Sequence, residues 1–171
     1  MKRSRAPLRT LLICLVLAAA LVAFIVVGLA GSSSHDGRPA PPLPSEQLSG
    51  KAVTLAALHG HPVLVVFWAS WCAPCAMEAP AIERFSRSLD GRATLVGVNW
   101  SDTSLSNAHA FIRRYQWTFP NLRDQEGTVG AEYGLTGLPT TFVIDSAGTL
   151  RATLRGPQTQ QTLAHALVSI S

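Results

Sequence analysis

Cysteine is scarce in this chain of 171 residues: there are three, and none lies between Cys14 and Cys72. A structural zinc site of the usual kind needs four ligands, and Cys72 and Cys75 supply only two thiolates. The histidines, at 35, 59, 61, 109 and 165, show no ligand spacing apart from His59 and His61, which sit in the turn-like stretch LHGHP. With no cysteine following the first apolar run, lipoprotein processing has no acceptor. An excess of basic charge is also missing from the body of the chain. Four of the fourteen Lys and Arg are Lys2, Arg3, Arg5 and Arg9, and the other ten balance the ten Asp and Glu. The net charge of +4 therefore belongs to the N-terminus, and nothing points to the basic face that nucleic-acid binding requires. No internal repeat is present.

What is present starts with a long apolar run. Residues 11–30, LLICLVLAAALVAFIVVGLA, carry no charge, and as a helix would be roughly 30 Å long, the thickness of a bilayer's hydrocarbon core. The basic segment 1–10 ahead of it is expected to stay in the cytoplasm and the remainder to cross. The expectation is a single transmembrane anchor. A cleaved signal peptide is the alternative, since Gly28 and Ala30 are small enough for a cleavage site, and a buried helix is a third. Cys14 reads as a small apolar residue within this run. Residues 31–44, GSSSHDGRPAPPLP, read as a linker, flexible where Gly and Ser dominate and extended where Pro does. The folded domain is expected over 45–171.

Within that domain, residues 62–69 (PVLVVFWA) form an uninterrupted apolar run suited to a strand buried on both faces. The CAPC segment follows, then a helix with Ile82, Phe85 and Leu89 on one stripe, Gly91 as its stop and Pro80 removing one backbone bond. Residues 94–99 (TLVGVN) form a second buried strand, parallel to the first by the handedness of the crossover. A helix over 105–116 is expected to turn Leu105, Ala108, Ile112 and Tyr115 inward, with caps available from Ser101 to Ser104. Residues 119–122 suggest a short edge strand and 128–133 a short helix. Residues 140–145 and 149–154 flank SAG as a hairpin, and 159–170 form a last helix. The fold class is α/β: a mixed central sheet flanked by helices.

A Cys-x-x-Cys pair holds half a metal site, lies inert in a core, or cycles between dithiol and disulfide. A structural role gains little from so short a loop. Where a buried strand ends and a helix begins, Cys72 faces unsatisfied N–H groups and the positive end of the helix dipole, which favour its thiolate. Cys75, one turn on, is placed to attack a mixed disulfide formed at Cys72. Pro74 sits in the first turn, where its missing N–H costs nothing, and Trp71 can shield one side of the sulfur pair. Redox cycling is the favoured reading, with no cofactor and no bound metal.

The stretches VLVVFWASWCAPC and GLPTTFVID, in that order, resemble the thioredoxin superfamily, and more narrowly the membrane-anchored extracytoplasmic TlpA/ResA-type thiol–disulfide oxidoreductases, relatives of the cytochrome c maturation thioredoxins. The resemblance covers essentially all of 45–171. It implies that Cys72 and Cys75 are the redox disulfide, that Pro139 is a cis-proline facing them, and that the backbone at Leu138 pairs with bound substrate. It also implies that Glu78, three positions after Cys75, assists proton transfer; the alternative is a solvated helix carboxylate. Cytoplasmic thioredoxins carry a buried aspartate in the central strand, and Val66 stands there instead. The function implied is reduction of protein disulfides, such as those of apocytochrome c or copper-site assembly proteins, fed by a membrane-embedded thiol donor. An oxidase or isomerase of secreted protein thiols, a copper-binding assembly factor and a non-catalytic interaction module remain as alternatives.

Overall fold

The computed structural model describes residues 37–170. The basic segment and the apolar run over 11–30 lie outside the described residues. Six strands form one mixed sheet: β1 (Glu46–Ser49), β2 (Val63–Trp68), β3 (Thr94–Trp100), β4 (Asn121–Asp124), β5 (Thr140–Ile144) and β6 (Leu150–Arg155), in the order β1-β4-β3-β2-β5-β6. The helices are α1 (Ala73–Arg87), α2 (Leu105–Arg114), α3 (Thr128–Tyr133) and α4 (Gln160–Val168). β2 pairs in parallel with β3, and β3 in parallel with β4; β5 runs antiparallel to this group, and β6, antiparallel to β5, runs in the direction of β2.

Every residue of β2 is buried, as its continuous apolar sequence demands. The alternation of a strand sends its side chains into two cores. Leu64, Val66 and Trp68 face a cluster with Cys72, Cys75, Ala79, Ile82, Phe111, Ile112 and Leu163, so α1, α2 and α4 cover that face. Val63, Val65 and Phe67 face a cluster with Val98, Leu122, Tyr133, Phe142 and Leu150. Aromatic rings organise both sides. Trp68 stacks on Phe111 at 4.7 Å and meets Trp117 edge-on at 5.1 Å, while Phe67 meets Phe142 edge-on at 5.5 Å.

Three expectations need correction. The short strand expected at 119–122 is shifted to Asn121–Asp124 and is interior, because β1 pairs antiparallel along its outer side. β1 itself was not anticipated: only Leu48 of its four residues is buried, too brief a signal for periodicity to reveal. In α2 the buried face is Ala108, Phe111 and Ile112, whereas Leu105, in the first turn, is 44% exposed. The break is Phe111, whose ring fills the space over Trp68 and so sets the rotation of the helix.

Residues 37–44, read as the extended half of the linker, lie against the domain. Gly37 N–H donates to the Leu150 carbonyl and Leu150 N–H to the Arg38 carbonyl, both at 2.9 Å. The Arg38 guanidinium donates to the Glu132 and Tyr133 carbonyls, and the Tyr133 hydroxyl donates to the Pro41 carbonyl at 2.8 Å. This segment covers part of the otherwise open edge of β6.

The β2–β3–β4 seam holds one tight contact. Gly97 lies between Val66 and Asn121 in register. Asn121, fully buried, accepts a hydrogen bond from the Trp68 indole at 3.1 Å and donates to the Phe119 carbonyl at 3.0 Å. A Cβ on Gly97 would collide with the Asn121 amide and come within 3.0 Å of the Trp68 indole nitrogen. Gly97→Ala is therefore expected to displace Asn121 and destabilise the domain by about 2–4 kcal/mol. Urea denaturation checks this, and a change below about 0.5 kcal/mol, the usual scatter for a harmless surface substitution, would show that the seam tolerates the methyl.

Candidate functional site

The site grows from the end of β2. After Trp68 the chain leaves the sheet, and Cys72 occupies the N-cap of α1 in an extended conformation. Its Sγ accepts a hydrogen bond from the Cys75 N–H at 3.2 Å. Pro74 lies in the first turn, where no intrahelical donor is required, and α1 continues through Pro80 to Arg87. The two sulfurs form a disulfide, with Cα atoms 5.3 Å apart across the Cys72–Cys75 loop. In this oxidised state Cys72 is 4% exposed and Cys75 1% exposed. After reduction, the helix N-terminus and the Cys75 N–H both favour negative charge at Cys72, while Cys75 lies inside the first turn without that advantage.

Around the disulfide lies an apolar rim. Trp71, directly before Cys72, is 60% exposed, and Ala73 and Pro74, between the two cysteines, are also at the surface; Met77, further along α1, is 76% exposed. The Trp71 indole donates to the Ser101 carbonyl at 3.4 Å, which holds the ring beside the β3 end. The Leu138–Pro139 peptide bond is cis. Pro139 is buried, its carbonyl accepts from Gly156 N–H at 2.9 Å, and Leu138 packs against both cores. Leu138 lies just outside β5, and its backbone takes no part in the β2–β5 and β5–β6 ladders.

Glu78 is buried, at 3% exposure, so the solvated-carboxylate alternative does not describe it. It lies three residues after Cys75, on the same side of α1. Burial pushes its carboxyl up from 4.5 to about 7, although the Gln158 N–H, donating to Oε2 at 2.7 Å, pulls the other way. Both protonation states are thus populated near neutral pH. Val66, at the place of the strand aspartate of cytoplasmic thioredoxins, is fully buried, leaving the β2 side of this core without a carboxylate.

Sequence reasoning treated Asp102 only as one of several helix caps. Ser104 is the cap of α2, accepting from Asn107 N–H. Asp102, 1% exposed, binds the turn before the disulfide instead. Its carboxylate accepts from Ser70 N–H at 2.7 Å, the Asn99 amide at 3.1 Å and Ser104 N–H at 3.2 Å. Burial raises its pKa, but these hydrogen bonds outweigh burial and leave it below the ordinary carboxylate range. The available signal was position: Asp102 follows the carboxyl end of a parallel strand, where the sites of open α/β sheets gather.

Residues 37–153 match the AhpC/TSA family. The chain is 33% identical over 135 residues to the thioredoxin-like protein YneN of Bacillus subtilis, covering 78% of this chain and 79% of that one. It is 29% identical over 164 residues to the thiol-disulfide oxidoreductase ResA of the same organism, covering 95% and 91%. A DsbF homologue from Corynebacterium diphtheriae superposes with a TM-score of 0.73 at 26% identity, over 82% of this chain and 94% of that one. The sheet order and helix layers described above are accordingly those of a thioredoxin fold.

Because the folded Glu78 carboxyl holds its proton to higher pH than the unfolded one, the folded state binds more protons between 4.5 and about 7. Stability is full below 4.5, falls as pH rises to about 7, and is flat above. Glu78→Gln removes this dependence while keeping an acceptor for Gln158 N–H. Relative to the variant, the natural protein should lose roughly 3 kcal/mol between pH 4.5 and pH 8. Denaturation at the two pH values checks this, and an unchanged difference between the proteins would mean that Glu78 does not titrate in this range.

Proposed function

Because the chain belongs to the AhpC/TSA family and is a thioredoxin-like disulfide oxidoreductase, we propose that it reduces disulfides of protein substrates outside the cytoplasm. The observation that carries this reading is the Cys72–Cys75 disulfide at the N-terminus of α1. In the reduced protein the Cys72 thiolate attacks one sulfur of the substrate disulfide. The substrate S–S bond breaks, one substrate thiolate leaves, and a Cys72–substrate mixed disulfide forms. Cys75, as thiolate, then attacks the Cys72 sulfur. The mixed disulfide breaks, the second substrate thiolate leaves, and the Cys72–Cys75 bond forms. Two electrons pass to the substrate.

Glu78 takes the proton that Cys75 must lose. Its carboxyl, poised at about 7, accepts and returns a proton near neutral pH, and it is the buried carboxylate on the Cys75 side of α1. Substrate lies over the apolar rim, pairing its backbone with Leu138 beside cis-Pro139 and meeting the exposed face of Trp71.

The basic segment before the uncharged run 11–30 supports a single-pass anchor with the domain in the periplasm or outside the cell. There a reductant needs electrons from a membrane-embedded thiol donor, because the surroundings are oxidising. Haem-site cysteines of apocytochrome c and copper-site cysteines of oxidase assembly proteins are the substrate classes that the resemblance implies.

In intact cells Cys75→Ser should accumulate mixed disulfides at Cys72, since a hydroxyl cannot displace the sulfur, and Cys72→Ser should accumulate few. Non-reducing electrophoresis and mass spectrometry identify the partners. A narrow set of cysteine-bearing cytochrome or copper-site proteins is expected. A broad set of secreted proteins would favour the oxidase or isomerase direction, and cytoplasmic partners would overturn the topology.

A further inference from the structure

Beside the disulfide, on the side of Trp71, the surface folds into a groove of about 290 Å³ lined by Ser70, Trp71, Ala76, Asn107, Arg114 and Tyr115, among others. Its two walls follow from the fold. Ser70 and Trp71 immediately precede Cys72, and Ala76 follows Cys75, so one wall is the redox turn itself. The other is a face of α2: Asn107, Ala110, Phe111 and Arg114 stand at the three- and four-residue spacing that aligns side chains along a helix. The volume sits at the lower limit of small-molecule sites, roughly 300–1,000 Å³. That suits one or two side chains of a polypeptide rather than a separate cofactor.

Arg114 is the only charged side chain lining the groove. Its guanidinium lies 5.6 Å from the centre of the Tyr115 ring, a contact that steadies the plane and leaves N–H donors at its edge. Among the described residues no carboxylate pairs with it: the ion pairs found there join Arg87 to Glu83, Arg123 to Glu46 and Arg151 to Asp145. The two buried carboxylates nearest it in sequence are already engaged: Asp124 by Thr128, Val129 and Gly130, and Asp102 by Ser70, Asn99 and Ser104. A cation with an open planar fork, in one groove with the 60% exposed indole of the residue directly before Cys72, is complementary to a carboxylate flanked by an apolar group.

We propose that this groove receives an acidic segment of the substrate protein, seating an Asp or Glu side chain on Arg114 and an apolar side chain on Trp71 while the neighbouring substrate cysteine reaches Cys72. This rests on the disulfide-reducing reading above and specifies which proteins the site selects. Recognition by one surface charge acts chiefly on the rate of productive encounter and weakens with salt.

The test uses the reduced full-length protein and two synthetic disulfide-bridged peptides, alike except that glutamates flank the cysteine in one and lysines in the other. Reduction is followed by acid quench and mass spectrometry. At low salt the acidic peptide should be reduced about tenfold faster. Arg114→Gln should remove most of that preference and Arg114→Glu should invert it. Arg113→Glu makes the same charge change one residue away, at an exposed position outside the groove, and should keep the preference. A preference that survives Arg114→Glu, or that Arg113→Glu abolishes equally, overturns the groove assignment. Equal reduction of both peptides by the natural protein overturns it too, whereas reduction of neither overturns the oxidoreductase reading beneath it.

Discussion

The parallel pairing of β2 with β3 ends with Trp68 opposite Asn99; there β2 leaves the sheet, while β3 runs one residue further, to Trp100 opposite Asp124. Everything chemical in this domain depends on how that exit is fixed. β2 is buried along its whole length, so its end cannot slide without exposing Phe67 or Trp68. The chain turns through Ala69, Ser70 and Trp71 into the N-terminus of α1, which is where Cys72 must sit. Asp102, at the exit of β3, holds the turn by its Ser70 N–H, and the Trp71 indole reaches back to the Ser101 carbonyl. A helix dipole aimed at a sulfur acts on it only while that sulfur is held at the helix end, so the buried sheet and the reactive thiol belong to one constraint.

Two buried carboxylates flank this turn and are tuned in opposite directions by their partners. Asp102 accepts three hydrogen bonds and is held ionised, which suits a permanent brace. Glu78 accepts one from Gln158 N–H, and burial prevails, bringing its carboxyl to about 7. The sequence letters say little about this difference. What decides it is the number of donors that neighbouring loops deliver.

Most of the sheet and the redox pair were legible because their signals are local. The apolar run of β2, the Cys-x-x-Cys spacing and the SAG hairpin each identify themselves within a dozen residues. Glu78 and Pro139 came through resemblance; spacing alone reveals neither the burial of the first nor the cis bond of the second. What escaped depends on distant partners. β1 is a strand only because β4 offers it an edge, and the Pro-rich stretch before it is docked only because β6 and α3 offer hydrogen bonds. Leu105 was assigned inward by helical period, but the bulk of Phe111 over Trp68 sets the rotation of α2. Asp102 looks in sequence like one of several possible helix caps, because the partner that ties it to the redox turn, Ser70, lies 32 residues away.

The central claim is that the helix N-terminus makes Cys72 the nucleophile and leaves Cys75 to resolve. The most direct measurement is alkylation of the reduced protein by a limiting amount of iodoacetamide at pH 7, with the modified cysteine assigned by peptide mapping. Modification of Cys72 well ahead of Cys75 is the expected result. Equal modification of the two, or Cys75 modified first, would contradict it.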